Sequence, residues 1–160
     1  MQTVGGVLSN GSGHYLFAGM LGYKLNPLLD VEISGARADA KQFTPLAASK
    51  SISAWNVGAR GGLMGLKYMA EYSADVSPNG IEGARAQDWY VALAANLHEM
   101  TLTPDWLDLE PAVRFEKYRY VNNQTGMDAS LGNTTIGLNY YVNPNNPHAA
   151  EVQLNYVVPT

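Results

Sequence analysis

Glu110, Arg114 and Glu116 are separated by even intervals, so an extended chain would project all three to one side. Two carboxylates on one face are the raw material of general acid–base chemistry, one protonated and one ionised. That division needs their pKa values driven apart, and an intervening guanidinium instead holds both ionised. The set therefore reads as charged lining and not as an enzyme site. The other chemistry-bearing residues are no more suggestive of catalysis. His14, His98 and His148 have no ligand spacing to one another, and there is no cysteine, so neither a metal site nor any other cofactor is expected. Gly58-Ala59-Arg60-Gly61-Gly62 lacks the Gly-Lys-Ser/Thr and following helix of a phosphate loop, and reads as a tight turn beside a crowded strand end. Asn123-Gln124-Thr125 has the glycosylation pattern but reads as an ordinary loop.

Elements that could position such residues follow from a period of two that recurs along the chain. Tyr15, Phe17, Gly19, Leu21 and Tyr23 alternate with other residues, as do Leu29, Val31 and Ile33, and then Trp55, Val57 and Ala59. Met64, Leu66, Tyr68, Ala70, Tyr72, Ala74 and Val76 form the longest series, facing away from Lys67, Glu71, Ser73 and Asp75. Further series run from Trp89 to Leu97, from Leu107 to Phe115, from Ile136 to Val142 and from Val152 to Val158. Eight strands of about ten residues would each suit a tilted membrane crossing. The last two are separated by Asn143-Pro144-Asn145-Asn146-Pro147-His148, which makes them a hairpin.

Composition and link lengths point the same way. Ten tyrosines, three tryptophans and sixteen glycines stand beside only 15% charged residues, where an average soluble domain has about 25%. Short turns are expected at Asn26-Pro27-Leu28, Gly61-Gly62 and Asn143 to His148, with an intermediate link from Glu99 to Asp105. Longer links are expected at Ala40 to Ser51, Ser77 to Gln87 and Val121 to Ser130, so short and long connections alternate between the two ends. Tyr15, Tyr72, Trp89, Tyr120 and Tyr156 would lie toward the long-loop rim, and Tyr23, Trp106 and Tyr140 toward the other, as two aromatic belts. By this count both termini fall at the loop rim. No apolar run is long enough for a transmembrane helix, and the start lacks the basic and apolar regions of a signal peptide, so an exported chain would have lost its signal. A net charge of -4 without a basic run argues against a nucleic-acid partner.

Residues 105 to 118, Asp-Trp-Leu-Asp-Leu-Glu-Pro-Ala-Val-Arg-Phe-Glu-Lys-Tyr, followed by Thr134 to Pro144 with its Gly-Leu-Asn-Tyr-Tyr strand and Asn-Pro turn, resemble the C-terminal part of the phosphate-selective porin O and P family. Trp89-Tyr90-Val91 and Val152 to Tyr156 match the strands on either side, so the resemblance runs over residues 86 to 158, with only the architecture shared before them. It implies a bacterial outer-membrane barrel that passes small solutes by diffusion, anions such as phosphate among them, and that assembles as a homo-oligomer. Family barrels have about sixteen strands, which leave an aqueous channel, whereas about eight leave an interior just filled by side chains or one small ligand.

The expected fold is thus all-β: an antiparallel up-and-down transmembrane β-barrel of about eight strands, whole or part of a larger one. It would occupy residues 1–160 as one domain, with 1–12 as an N-terminal tail or loop. The partners would be outer-membrane lipid and small solutes or anions, with Arg60, Lys67, Glu71, Glu110, Arg114, Glu116 and Asn139 lining the pore. Cations and carboxylates in that set balance, so little anion selectivity is expected, and a paired lattice filling a narrow barrel would use the same residues. The rival readings are a soluble eight-stranded barrel holding a small apolar ligand and a plugged structural membrane barrel. Which face is turned inward separates the first rival from the membrane readings.

Overall fold

A computed structural model describes residues 2–9, 15–26, 28–39, 51–143 and 150–160, the first of these segments by its backbone alone. His14, Pro27 and His148 lie outside the described residues, as do part of the expected tail 1–12 and most of the links 40–51 and 143–148. The strands are β1 (Gln2–Ser9), β2 (Tyr15–Asn26), β3 (Leu29–Asp39), β4 (Ser51–Leu63), β5 (Leu66–Val76), β6 (Ala84–Ala95), β7 (Asp108–Asn122), β8 (Met127–Tyr141) and β9 (Glu151–Pro159). They form one antiparallel sheet in strict sequence order, each strand pairing only with its chain neighbours. The eight expected strands are all present in this up-and-down arrangement. The segment expected to be a tail contributes β1, whose Gln2 pairs with Gly22 and whose Ser9 pairs with Tyr15. That added strand carries Gln2 to the short-turn end, where a count of eight strands puts the N-terminus at the loop end.

Three local features depart from the expected turns. The hairpin between β4 and β5 turns at Met64 and Gly65, both at positive φ (49° and 83°), rather than at Gly61-Gly62. Two consecutive left-handed residues give the type of turn whose twist matches the strands, and glycine takes the second at no steric cost. Gly61 stays in the ladder for another reason. Tyr68 lies across it to donate its hydroxyl to the Leu28 carbonyl at 2.6 Å, and a Cβ on Gly61 would fall 2.6 Å from that hydroxyl. The link expected at Val121 to Ser130 shrinks to residues 123–126, because Asn122 accepts from the backbone N–H groups of Gln124 (2.9 Å) and Thr125 (3.3 Å) and closes the turn itself. The link expected to be intermediate instead runs from Asn96 to Leu107, held by Leu97 N–H to Leu109 O (2.8 Å) and Leu102 N–H to Leu97 O (2.9 Å).

Register sorts every strand into two faces. Ile33, Val57, Tyr72 and Trp89 stand side by side across β3 to β6, and Tyr68, Leu93, Val113, Ile136 and Tyr156 across β5 to β9. Trp55 packs against Tyr72 with ring centroids 5.2 Å apart. Charges on this apolar face are confined to the loop end: Arg37, Asp39, Arg85, Lys117, Arg119 and Asp128. Tyr120, expected in the aromatic belt, falls on the opposite face, across from Ala86 and Ala129. The two faces also differ in accessibility. Ile33, Trp89, Val91, Leu93, Ile136 and Leu138 are exposed, while their immediate neighbours Glu32, Ser34, Asp88, Tyr90, Ala92, Thr135 and Asn139 are half-buried. The polar face is therefore the hollow side of the sheet, and the apolar face is the outer side.

Among the described residues no apolar layer covers that outer face. The buried hydrophobic side chains among the described residues are Ala38, Ala74, Ala84 and Ala86, too small to make a core, while Ile136 is 56% and Leu154 71% exposed. No helix among the described residues is long and apolar enough to cross a membrane. Among them, too, no ladder joins β9 to β1, so the sheet has two free edges whose strands run in the same direction.

Candidate functional site

The hollow face is assembled by even-numbered residues of β2, β3, β4, β6 and β7 and odd-numbered residues of β5, β8 and β9, as the register requires. A concavity of roughly 860 Å³ on this face is lined by Arg60, Lys67, Arg114, Glu116, Thr135 and Asn139 among others. A second, of roughly 390 Å³, is lined by Lys24, Asp30, Glu32, Asn56, Arg60 and Glu71 together with their small neighbours. All seven residues singled out in the sequence, Arg60, Lys67, Glu71, Glu110, Arg114, Glu116 and Asn139, lie on this face.

They fall into two bonded groups and one outlier. Glu110 is buried at the centre of the first, paired with the Lys67 ammonium and accepting from Asn139 Nδ2 and the Tyr141 hydroxyl, each at 3.1 Å. A carboxylate can be this enclosed only because its lone pairs are met by a cation and two neutral donors. In the second group Arg114 bonds Glu116 at 2.7 Å and lies over the Tyr90 ring, 4.2 Å from its centroid. Tyr90 donates its hydroxyl to Glu71 at 3.0 Å, Asn56 donates to the other Glu71 oxygen at 2.6 Å, and Asn133 donates to Glu116 at 3.1 Å. Arg60 is exposed and forms no salt bridge among the described residues, although it stands opposite Asp30 in register.

Tyr90, Tyr141 and Asn133 belong to these groups and are not singled out by the sequence pattern. Parity alone could find the tyrosines: Tyr90 shares the phase of Asp88, and Tyr141 that of Asn139. Each is masked by the aromatic beside it, Trp89 and Tyr140, which continues the apolar series. Asn133 lies in a stretch whose composition resembles loop.

Carboxylates outnumber cations on the hollow face. Asp30, Glu32, Glu71, Asp75, Asp88, Asp108, Glu110, Glu116 and Glu151 are set against Lys24, Arg60, Lys67 and Arg114. The balance inferred from the seven residues alone does not extend to the whole face. Beyond the apolar rows, on the loop-end side of β7 and β8, Arg119 grips Asp128 in a two-pronged contact at 3.0 and 2.6 Å, and this holds the Asp128 carboxyl below its ordinary pKa. Buried Asn96 donates to buried Asp108 at 2.8 Å and accepts from the Glu99 N–H at 2.7 Å, which ties the 96–107 link to the base of β7. His98 sits in that link, its Nδ1 buried without a hydrogen-bond partner among the described residues. Among the described residues no three His, Asp or Glu side chains come together as metal ligands.

No protein-family model matches the chain, and no curated protein matches it. The geometry is therefore the basis for a functional reading: a polar trough, bonded into a lattice but open along its length, backed by an apolar surface that no other part of the described chain covers.

Proposed function

We propose that this chain forms a bacterial outer-membrane β-barrel, whole or in part, through whose polar interior small hydrophilic solutes and ions diffuse passively. The observation that carries the reading is the sidedness of the sheet: charged and hydrogen-bonded residues on the hollow side, exposed Ile, Leu, Val, Trp and Tyr on the outer side. A soluble barrel holding an apolar ligand requires the reverse, with its greasy residues inside. An apolar face of this extent in water would drive aggregation, whereas against lipid it is the stable arrangement. The confinement of outer-face charges to the loop end supports the same placement, since a charge near mid-bilayer costs about 2–4 kcal/mol.

The free edges of β1 and β9 bear on how such a barrel closes. In lipid every backbone N–H and C=O must be paired, so these edges pair with each other, in the parallel sense that their directions impose, or with further strands. A wider closure leaves a water-filled lumen; a closure of about eight or nine strands leaves little free interior. The resemblance of residues 86 to 158 to the phosphate-selective porins is in keeping with the wider form. Planar-bilayer conductance of the detergent-purified chain, after a heat-modifiability gel has shown it folded, tests the proposal. Stable single-channel steps are expected, and folded, inserted protein without conductance would overturn it.

A further inference from the structure

We propose that the passage prefers cations, against the anion preference that the porin resemblance implies. The proposal rests on the pore reading above and concerns the field of the whole hollow face rather than a bound ion. Three of the four cations among its described residues are engaged: Lys24 with Asp30, Lys67 with Glu110 and Arg114 with Glu116. Only Arg60 remains without a salt bridge among the described residues. Of the carboxylates, Glu32, Glu71, Asp75, Asp88, Asp108 and Glu151 form no salt bridge among those residues. Glu71 is the most telling of them. Both its oxygens are satisfied, but by the neutral donors Asn56 and Tyr90, which fix the carboxylate in place without cancelling its charge.

Register gathers these charges rather than scattering them. Glu32, Gly58, Glu71, Tyr90 and Glu116 stand in one row of strand pairs across β3 to β7, so three glutamates, of which Glu116 is paired with Arg114, line one oblique band of the hollow face. Asp88, opposite Ser73, lies one row nearer the loop end, and Asp75 one row beyond it. Carboxylates gathered in one region of the lining of an aqueous passage raise the local cation concentration and exclude anions. The Tyr90 and Asn56 contacts hold Glu71 in one place, so the field is fixed by structure and does not depend on a mobile side chain.

The test is the reversal potential of the full-length chain in a planar bilayer separating unequal KCl concentrations. The wild-type protein should pass K+ in preference to Cl−. Glu71→Gln with Asp88→Asn should lower the permeability ratio, by up to roughly sevenfold before salt screening for each charge removed about 7 Å from the ion path in water, since both the K+ attraction and the Cl− repulsion are lost. Arg60→Gln should raise it, a change of opposite sign that a merely structural role for these residues would not give. Reversal at the Cl− side for wild type, or a ratio unmoved by all these changes in channels that still conduct, would overturn the cation preference while leaving the pore intact. Absence of conductance in folded wild-type protein would instead overturn the pore reading, and the preference with it.

Discussion

Leu154 and Gln153 are adjacent on β9, exposed, and turned to opposite faces of the sheet, which makes them a matched pair for testing where the bilayer lies. Leu154 is 71% exposed and sits within the apolar series Val152, Leu154, Tyr156 and Val158, opposite Leu138. Six residue steps at about 3.3 Å each make that series roughly 20 Å long, so its inner members approach the middle of a membrane rather than its surface. Leu154→Arg should therefore destabilise the folded state in lipid by about 2–4 kcal/mol. Gln153→Arg adds the same charge to the same strand, but beside Glu151, with which Gln153 already bonds at 2.7 Å, and should change stability by no more than about 0.5 kcal/mol. Reversible urea unfolding in phospholipid vesicles, followed by tryptophan fluorescence and checked by heat modifiability, reads both. Were the outer face bathed in water, both variants would be near neutral, so equal effects from the two would refute the reasoning.

Three other outcomes follow from local geometry. Gly61→Ala should cost about 1–3 kcal/mol in the same titration, because its Cβ would strike the Tyr68 hydroxyl and the Leu28 carbonyl; a cost below that of an ordinary surface change would mean that Tyr68 does not lie over it. Glu110→Gln and Lys67→Met combined should destabilise less than the sum of their separate costs, with a coupling of about 1 kcal/mol, kept modest because Lys67 is half exposed; strict additivity would deny the pair. Asp128 has its folded pKa depressed by Arg119, so the contact's stabilisation is complete above the ordinary aspartate pKa and is lost as pH falls through the lower folded value. Hydrogen exchange at residues 122–127 should accelerate under those acid conditions in wild type and show no such step in Asp128→Asn.

The strand period makes most of the fold legible in the sequence, because alternation is imposed residue by residue wherever one face meets an apolar medium. Leu66 to Val76 and Trp89 to Leu93 can be assigned to faces from alternation alone. Met127 to Thr135 cannot. Its Asp128, Ser130, Gly132 and Thr134 occupy the face that is apolar elsewhere, and at the loop end that face no longer has to be greasy. The Met64-Gly65 turn is hidden for a different reason: Met64 continues the apolar phase, while Gly61-Gly62 looks like a turn, and only the crossing of Tyr68 over Gly61 explains why glycine is needed inside a strand. Parity finds the lining residues but not their bonding, since Glu110 with Lys67 and Glu71 with Asn56 are brought together from different strands by register. The acidity of the face as a whole escapes a reading centred on six charged residues, because Glu32, Asp75 and Asp88 stand in the sequence only as the polar complement of their strands.

The chain contains no cysteine, so any introduced cysteine is a unique label. Single substitutions Val91→Cys, Ala92→Cys, Leu93→Cys and Ala94→Cys along β6, spin-labelled in vesicles, measure most directly whether the apolar face meets lipid. Labels at 91 and 93 should be relaxed by oxygen, which concentrates in the bilayer, and labels at 92 and 94 by a water-soluble nickel chelate. An inverted alternation, or chelate access at all four positions, would contradict the sidedness on which the functional account stands.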